Sequence, residues 1–250
     1  MKSNYSTCRL ILIPVVIFII VSGCEIRQCF HSTGRNTSKE IQTGYFYRVD
    51  IEGIFNIKLV QDTVCYVEFK GGDNMLDYVN ANNTDSVLHI GNSNDCYFLR
   101  DYERVDCYIH FSSKTHLNLY EVNKVETVVP IESTFRLTVQ TVMAEVDIEM
   151  YNDRFSFYNN TTAGGVYTFR GTCERCDLDG YYMALIDASA LIAREMIIRH
   201  YSIGDFFVNV EEKLSVEIHN SGDLIYYGSP EVVIDSVTGT GSVIPIDQYE

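Results

Sequence analysis

Three short apolar runs lie near the end of the chain, and each run stops at a turn. Within Leu214–Ser242 the runs are Leu214–Ile218, Leu224–Tyr226 and Val232–Ile234, and they start at residues 214, 224 and 232. Spacing that recurs at a fixed period indicates a repeat architecture. We therefore predict strands of a parallel β-solenoid, in which two runs of about ten residues make one winding of about twenty.

The same spacing extends back to Leu117, which gives a long series of candidate strands. These are Leu117–Tyr120, Lys124–Val129, Phe135–Val139, Glu145–Ile148, Phe155–Tyr158, Val166–Phe169, Cys176–Leu178, Met183–Ile186, Met196–Ile198 and Phe206–Val210. Gly, Asn, Asp and Ser between the runs suit the tight corners of a solenoid. Amphipathic segments of helix length are absent between the runs, which excludes a βαβ fold. A β-sandwich or barrel, which also has strands every 8–12 residues, remains the alternative.

The first part of the predicted domain is less regular. Residues 45–70 alternate with period two, which is the pattern of half-buried strands. Further strands are expected at Val87–Ile90 and Val105–Phe111, with one short helical turn near Met75. The predicted fold is therefore all-β, a solenoid with a less regular N-terminal β portion.

Charge limits the class of partner. The 250 residues carry 34 Asp and Glu against 19 Lys and Arg, for a net charge of −15, and 46% of them are hydrophobic. Nucleic-acid binding requires clustered basic residues, so a nucleic-acid partner is disfavoured. Attraction to an anionic bilayer surface is disfavoured for the same reason.

The N-terminus predicts export. The apolar run Leu10–Val21 has twelve residues and follows Lys2 and Arg9. As a helix it would span roughly 18 Å, which is short of the ~30 Å hydrocarbon core, so it is typical of a signal peptide. Val21–Cys24 resembles a bacterial lipobox, which predicts cleavage and lipidation at Cys24. We expect a signal peptide at 1–23, a flexible polar tether at 24–44 and one domain at 45–250.

Two cysteines form a CxxC motif, Cys173 and Cys176. A redox motif would be expected at the start of a helix, and a metal site would need a second pair or a nearby His. Neither context is present in the sequence. We expect a structural disulfide or buried free thiols, since export permits disulfides.

Two separated stretches resemble one known family. Val49–Asp62 and Tyr66–Phe69 precede a Gly–Asp turn at Gly72–Asn74, and Ser221–Pro230 is followed by Gly239–Ser242. In this order they are similar to the family called putative auto-transporter adhesin, head GIN domain, which is common in exported proteins of Bacteroidetes. The resemblance implies a right-handed parallel β-solenoid and an adhesion role. Residues 150–210 depart from it, because they are rich in Tyr, Phe and Arg where the family tends to have small residues.

Motifs for catalysis, phosphate binding or metal ligation are absent from the sequence, so we expect no catalytic residues, no metal and no cofactor. Carboxylates are nevertheless abundant in this chain. Three of them and three arginines would line one groove if the windings stack as spaced; they are Asp177, Asp179, Asp187, Arg175, Arg194 and Arg199. Glycoside cleavage needs two carboxylates flanking the bond. Asp177 and Asp179 share a strand face and would also suit weak Ca²⁺ binding.

Two kinds of surface position are further candidates. The pairs Tyr181–Tyr182 and Tyr226–Tyr227 should each place one ring outward, where stacked rings form a platform for sugar or peptide. Cross-strand stabilisation is the alternative role for these rings. Three Asp-Ser/Thr-Val triplets resemble the O-glycosylation acceptor of Bacteroidetes. Their acceptor residues are Thr63, Ser86 and Ser236.

The sequence therefore predicts a lipid-anchored envelope protein that acts as a binding, adhesion or scaffold module. Its expected partners are the membrane, through the lipid, and an unidentified envelope glycan or protein. The location would be the outer membrane or its periplasmic face. Two alternatives remain open: a polysaccharide-active β-helix enzyme and a purely structural envelope spacer.

Overall fold

The computed structural model describes residues 32–94, 103–121, 123–140 and 143–249. The predicted signal peptide and Cys24 lie outside the described residues. The described part contains no helix with the length and apolar character needed to cross a lipid bilayer.

Strands dominate this part of the chain, with one helical turn, α1 (Asp73–Leu76), and a final 3-10 turn at Ile246–Gln248. The strands are β1 Asn36–Gln42, β2 Arg48–Glu52, β3 Asn56–Gln61, β4 Tyr66–Gly72, β5 Val79–Thr84, β6 Val87–Asn92, β7 Asp106–Phe111, β8 Thr115–Leu119, β9 Lys124–Thr127, β10 Phe135–Val139, β11 Met143–Asn159, β12 Gly164–Ser202, β13 Phe206–Ile218, β14 Leu224–Gly228, β15 Glu231–Val237 and β16 Val243–Pro245.

The strands stack into two parallel ladders. The front ladder runs from β6 through β2, β8 and β10 to the C-terminal part of β11, and ends at β15. The back ladder runs from β7 through β3 and β9 to the N-terminal part of β11, and ends at β14 and β16. The long strands β11, β12 and β13 belong to both ladders, because they continue around the corner between them.

The register gives the length of a winding. Phe135 pairs with Thr115 and Phe155, twenty positions away on each side. On the back ladder, Glu145 pairs with Lys124 and Val166, twenty-one positions away on each side. These pairings confirm the predicted parallel solenoid, with two runs in a winding of about twenty residues.

Two corners need glycine. Gly171 has a φ of +104°, and a Cβ atom there would lie 2.0 Å from the Met150 carbonyl oxygen. Gly228 has a φ of +93°, and its Cβ would lie 2.1 Å from the Val210 carbonyl oxygen. Side chains are excluded at both positions by conformation and by the backbone of the preceding winding.

Apolar side chains from successive windings fill one elongated interior. Phe111, Phe135, Phe155 and Phe169 form a continuous column, with ring centroids 6.2, 6.4 and 4.8 Å apart. All four rings are buried. One winding cannot cover its own apolar face, so this column is made only when the windings stack.

The N-terminal end is closed by antiparallel strands. β5 pairs with β6 on the front ladder, while β1 and β4 extend the back ladder beyond β7. Asn36–Gln42 therefore form a paired strand, which corrects the prediction of a flexible tether at these positions. The polar sequence does not indicate this strand, because the strand is stabilised by hydrogen bonds and not by an apolar pattern. Its backbone pairs with β4, and Lys39 Nζ donates to the carbonyls of Leu76 and Val79.

Candidate binding face

The outer side of the front ladder, which we call the front face, carries a row of rings. Tyr181 and Tyr201 stack at 4.5 Å between centroids, and Tyr201 stacks on His219 at 4.4 Å. Tyr158 meets Tyr181 edge-on at 5.5 Å. These four residues form the aromatic row. They occupy consecutive windings, where alternation along each strand turns them outward.

The stacking determines which atoms of the aromatic row are exposed to solvent. In the centre of the row each ring covers the face of its neighbour, so edges and hydroxyl groups are presented outward. The ring of His219 is fixed by its own partners, since Nδ1 lies 2.8 Å from Thr238 Oγ1 and Nε2 lies 3.2 Å from the Glu217 carboxylate. The row is thus a hydrogen-bonding edge, with the stacked faces stabilising the sheet.

A groove lies beside the aromatic row, with a volume of about 570 Å³. We call it the arginine groove, because three guanidinium groups line it against two carboxylates. Its lining residues are Arg136, Thr138, Arg154, Ser156, Phe157, Tyr158, Asp177, Asp179, Ile197 and Arg199. Tyr158 belongs both to the groove and to the row, so the two features form one continuous surface.

Two of the three arginines are neutralised within the groove. Arg154 lies 3.1 Å from Asp177, and Arg199 lies 2.7 Å from Asp179. Burial raises the pKa of Asp179, while the hydrogen bond from Arg199 opposes that shift. The hydrogen bond to Asp179 raises the pKa of Arg199. Both carboxylates therefore act as counter-ions for arginine.

Arg136 differs from the other two arginines. It is exposed, and it forms no ion pair among the described residues. Its neighbour on the preceding winding is His116. Burial lowers the pKa of His116 to about 4, and the positive charge of Arg136 adds to this. His116 is therefore neutral at pH 7, and its Nε2 lies 2.8 Å from Thr138 Oγ1.

The other predicted groove residues lie elsewhere. Asp187 pairs with Phe207 on the back ladder. Arg175 and Arg194 lie at the corner between the ladders, where they form ion pairs of 3.2 Å with Glu195 and 2.9 Å with Glu212. The prediction of one shared groove was wrong for these three residues, because Asp187 lies on the other ladder and the two arginines form ion pairs with glutamates outside the groove.

The predicted tyrosines fall into three environments. Tyr181 lies in the aromatic row, whereas its neighbour Tyr182 is 52% exposed outside the row and has a φ of +57°. Tyr226 and Tyr227 are half-buried on the back ladder, opposite Val208 and Asn209. Sequence reasoning missed Tyr158, Tyr201 and His219, although Tyr201 follows Tyr181 by one winding length.

Both cysteines of the CxxC motif are buried free thiols in the structure. Cys173 Sγ lies 3.1 Å from the Arg175 carbonyl oxygen. The Cys176 thiol hydrogen-bonds to Cys173 and lowers the pKa of Cys173, while burial raises the pKa of Cys176 well above its usual value. A disulfide between them remains a prediction.

The predicted glycosylation acceptors are all solvent-accessible. Thr63 is exposed, whereas Ser86 and Ser236 are partly exposed. Their modification stays a prediction. Within the part of the chain that the structure describes, no group of three or more His, Cys, Asp or Glu side chains is placed to hold a metal ion.

The family model for the putative auto-transporter adhesin, head GIN domain, matches residues 45–230. No curated protein matches the chain. Among solved structures, a "putative adhesin" from Bacteroides fragilis is 15% identical, with a TM-score of 0.66, and the match covers 85% of this chain and 97% of that one. A "putative lipid binding protein" from Parabacteroides distasonis is 17% identical, with a TM-score of 0.56 and the same coverages. A "putative adhesin" from Parabacteroides merdae is 16% identical, with a TM-score of 0.50, covering 85% and 96%. At these identities the similarity shows the fold alone.

Proposed function

Because this chain belongs to the putative auto-transporter adhesin, head GIN domain, family, we propose that it is a non-catalytic binding module of the cell envelope. Family membership supports a binding or adhesion role and suggests an exported, cell-surface protein. The front face is the surface that carries the function in our proposal. Its partner is an envelope or host glycan or peptide.

One observation carries this proposal: the aromatic row and the arginine groove form one polar, aromatic surface across several windings. Two other arginines on the outer surface form ion pairs with neighbouring carboxylates, Arg170 with Asp147 and Arg194 with Glu212. Solenoids commonly recognise partners along an extended regular face. A purely structural spacer would have no need of such a surface.

The anchor is a separate part of the proposal. Cys24 would carry lipid and hold the domain at the outer membrane, on its surface or on its periplasmic side. The lipobox-like Val21–Cys24 supports this. Labelling cells with a lipid precursor, with Cys24→Ser as the control, would test it, and equal label in the two proteins would contradict it.

A second candidate function has a specific observation in its favour. Asp177 and Asp179 lie two residues apart on one strand, so their carboxyl groups are separated by roughly 7 Å. That separation suits an inverting glycosidase. Each carboxylate is held by an arginine, however, and a general acid must be free to give up a proton. Release of new reducing ends from polysaccharides by the wild-type chain, but not by Asp179→Asn, would establish an enzyme.

The binding role is tested with arrays of glycans and peptides probed with the full chain. Tyr201→Ala removes the centre of the aromatic row. Tyr151→Ala is the matched control, because Tyr151 is 50% exposed and lies outside the row. We expect array signals that Tyr201→Ala weakens and Tyr151→Ala leaves unchanged. Signals that respond equally to both substitutions would place the binding surface elsewhere.

A further inference from the structure

We infer that Arg136 is an anion-binding position and that the arginine groove takes a carboxylate-bearing polysaccharide. This rests on the proposed function, because it names the ligand class of the same face. The starting point is a local charge imbalance. Of the three arginines that line the groove, Arg154 and Arg199 each have a carboxylate partner, whereas the guanidinium of Arg136 has none within the described residues.

The surroundings of Arg136 leave its charge available to a ligand. Arg154 and Arg199 already hold Asp177 and Asp179, so these carboxylates are occupied. His116, on the winding before Arg136, is neutral at pH 7 and hydrogen-bonds to Thr138. An exposed guanidinium without a counter-ion is suited to a carboxylate, which it binds through two parallel hydrogen bonds.

Hydroxyl groups extend from Arg136 along the groove. Ser156 is its register partner on the next winding, and Asp177 is the register partner of Ser156. Tyr158 lies two residues beyond Ser156 on the same side of the strand. Neighbouring strands lie about 4.8 Å apart, so the line from Arg136 to Ile197 spans roughly 14 Å. That length suits several units of a sugar chain.

The groove is also directional. Its Arg136 end favours an anionic group, whereas its other end presents the paired carboxylates Asp177 and Asp179, which can accept hydrogen bonds from sugar hydroxyls. A densely charged polyanion would meet the acidic remainder of the molecule and be repelled. A sugar chain that carries one carboxylate within the length of the groove, with neutral units on either side, suits both ends, and we place its carboxylate at Arg136.

The test titrates the full chain with a neutral oligosaccharide that carries a single galacturonate unit, and with the same oligosaccharide as its methyl ester. The variant is Arg136→Gln, and the control is Arg170→Gln, since Arg170 is paired with Asp147 outside the groove. We expect wild type and Arg170→Gln to bind the acid at least about tenfold more tightly than the ester. In Arg136→Gln this preference should disappear while the melting temperature stays unchanged.

Equal affinity of the wild type for acid and ester would overturn the inference, as would no binding of either probe or an undiminished preference in Arg136→Gln. Failure of this inference is distinguishable from failure of the proposed function. Neutral glycans or peptides that bind through Tyr201 would leave the binding role intact. If no bound ligand is weakened by a substitution on the front face, both the inference and the proposed function are wrong.

Discussion

Val216 and Ile234 face each other in register on neighbouring windings, yet Val216 is fully buried and Ile234 is 55% exposed. The difference arises because β15 pairs with β13 alone among the described strands, so no further winding covers its inward side. A residue in this solenoid is buried by the winding that follows it as well as by its own.

This relationship predicts that truncation to alanine lowers the free energy of unfolding by different amounts at Val216 and at Ile234. Val216→Ala removes two methyl groups from a packed interior and should lower the free energy of unfolding by about 2 kcal/mol. Ile234→Ala should lower it by less than about 0.5 kcal/mol, because most of that side chain already contacts water. Urea denaturation of both variants measures the difference, and equal losses would show that the last winding is covered in solution.

His200 predicts an acid-sensitive fold. The ring is buried against Phe206, 3.8 Å away, and burial lowers the pKa of His200 from 6.5 to about 4. The unfolded chain therefore takes up the proton first as the pH falls, so the stability present above pH 6.5 declines from there down to about pH 4. His116, whose pKa is also lowered to about 4, adds to the same decline.

His200→Phe keeps a ring of similar shape and removes the titrating group. We expect the loss of stability between about pH 7 and about pH 4.5 to be smaller in this variant than in wild type. Val216→Ala, which removes no titrating group, is the control and should leave the pH dependence as it is. If His200→Phe loses as much stability between the two pH values as the wild type does, other groups cause the acid sensitivity. Denaturant midpoints at the two pH values supply the comparison.

The aromatic row predicts separate effects on stability and binding. Tyr201→Phe keeps both stacking contacts, so the free energy of unfolding should change by less than about 0.5 kcal/mol. Tyr201→Ala removes them and should cost about 1 kcal/mol. Since the hydroxyl edges face outward, Tyr201→Phe should still weaken ligand binding. Full affinity in Tyr201→Phe, measured by titration, would mean that the hydroxyl takes no part in recognition.

The CxxC motif predicts a redox-dependent covalent state. Cys173 and Cys176 are both buried free thiols on β12, and the Cys176 thiol lowers the pKa of Cys173, so oxidation in an oxidising compartment should join the two sulfurs. Alkylation of the exported protein under denaturing conditions, with and without prior reduction, counts the free thiols by mass. Both sulfurs alkylated without reduction would show that the pair stays reduced.

The length of a winding could be predicted from the sequence, whereas the contacts between side chains on its outer surface could not. Alternating apolar positions and small corner residues recur with the winding, so the period and the elongated interior could be predicted. Strand β1 could not be predicted, because backbone hydrogen bonds to β4 and the hydrogen bonds of Lys39 stabilise it and its sequence has no apolar periodicity. The partners of Tyr181 and the lack of an ion pair at Arg136 depend on the register between windings, which from β9 onward varies from seventeen residues at Ile192–Asn209 to twenty-one at Lys124–Glu145.

The most direct test of a front-face binding module compares three proteins on one glycan and peptide array. The proteins are the wild type, a front-face variant carrying Arg136→Gln and Tyr201→Ala, and a control carrying Arg170→Gln and Tyr151→Ala. Our account predicts that wild type and control bind the same ligands and that the front-face variant loses them while its circular dichroism spectrum is unchanged. Retained binding by the front-face variant, or loss in the control alone, would contradict it.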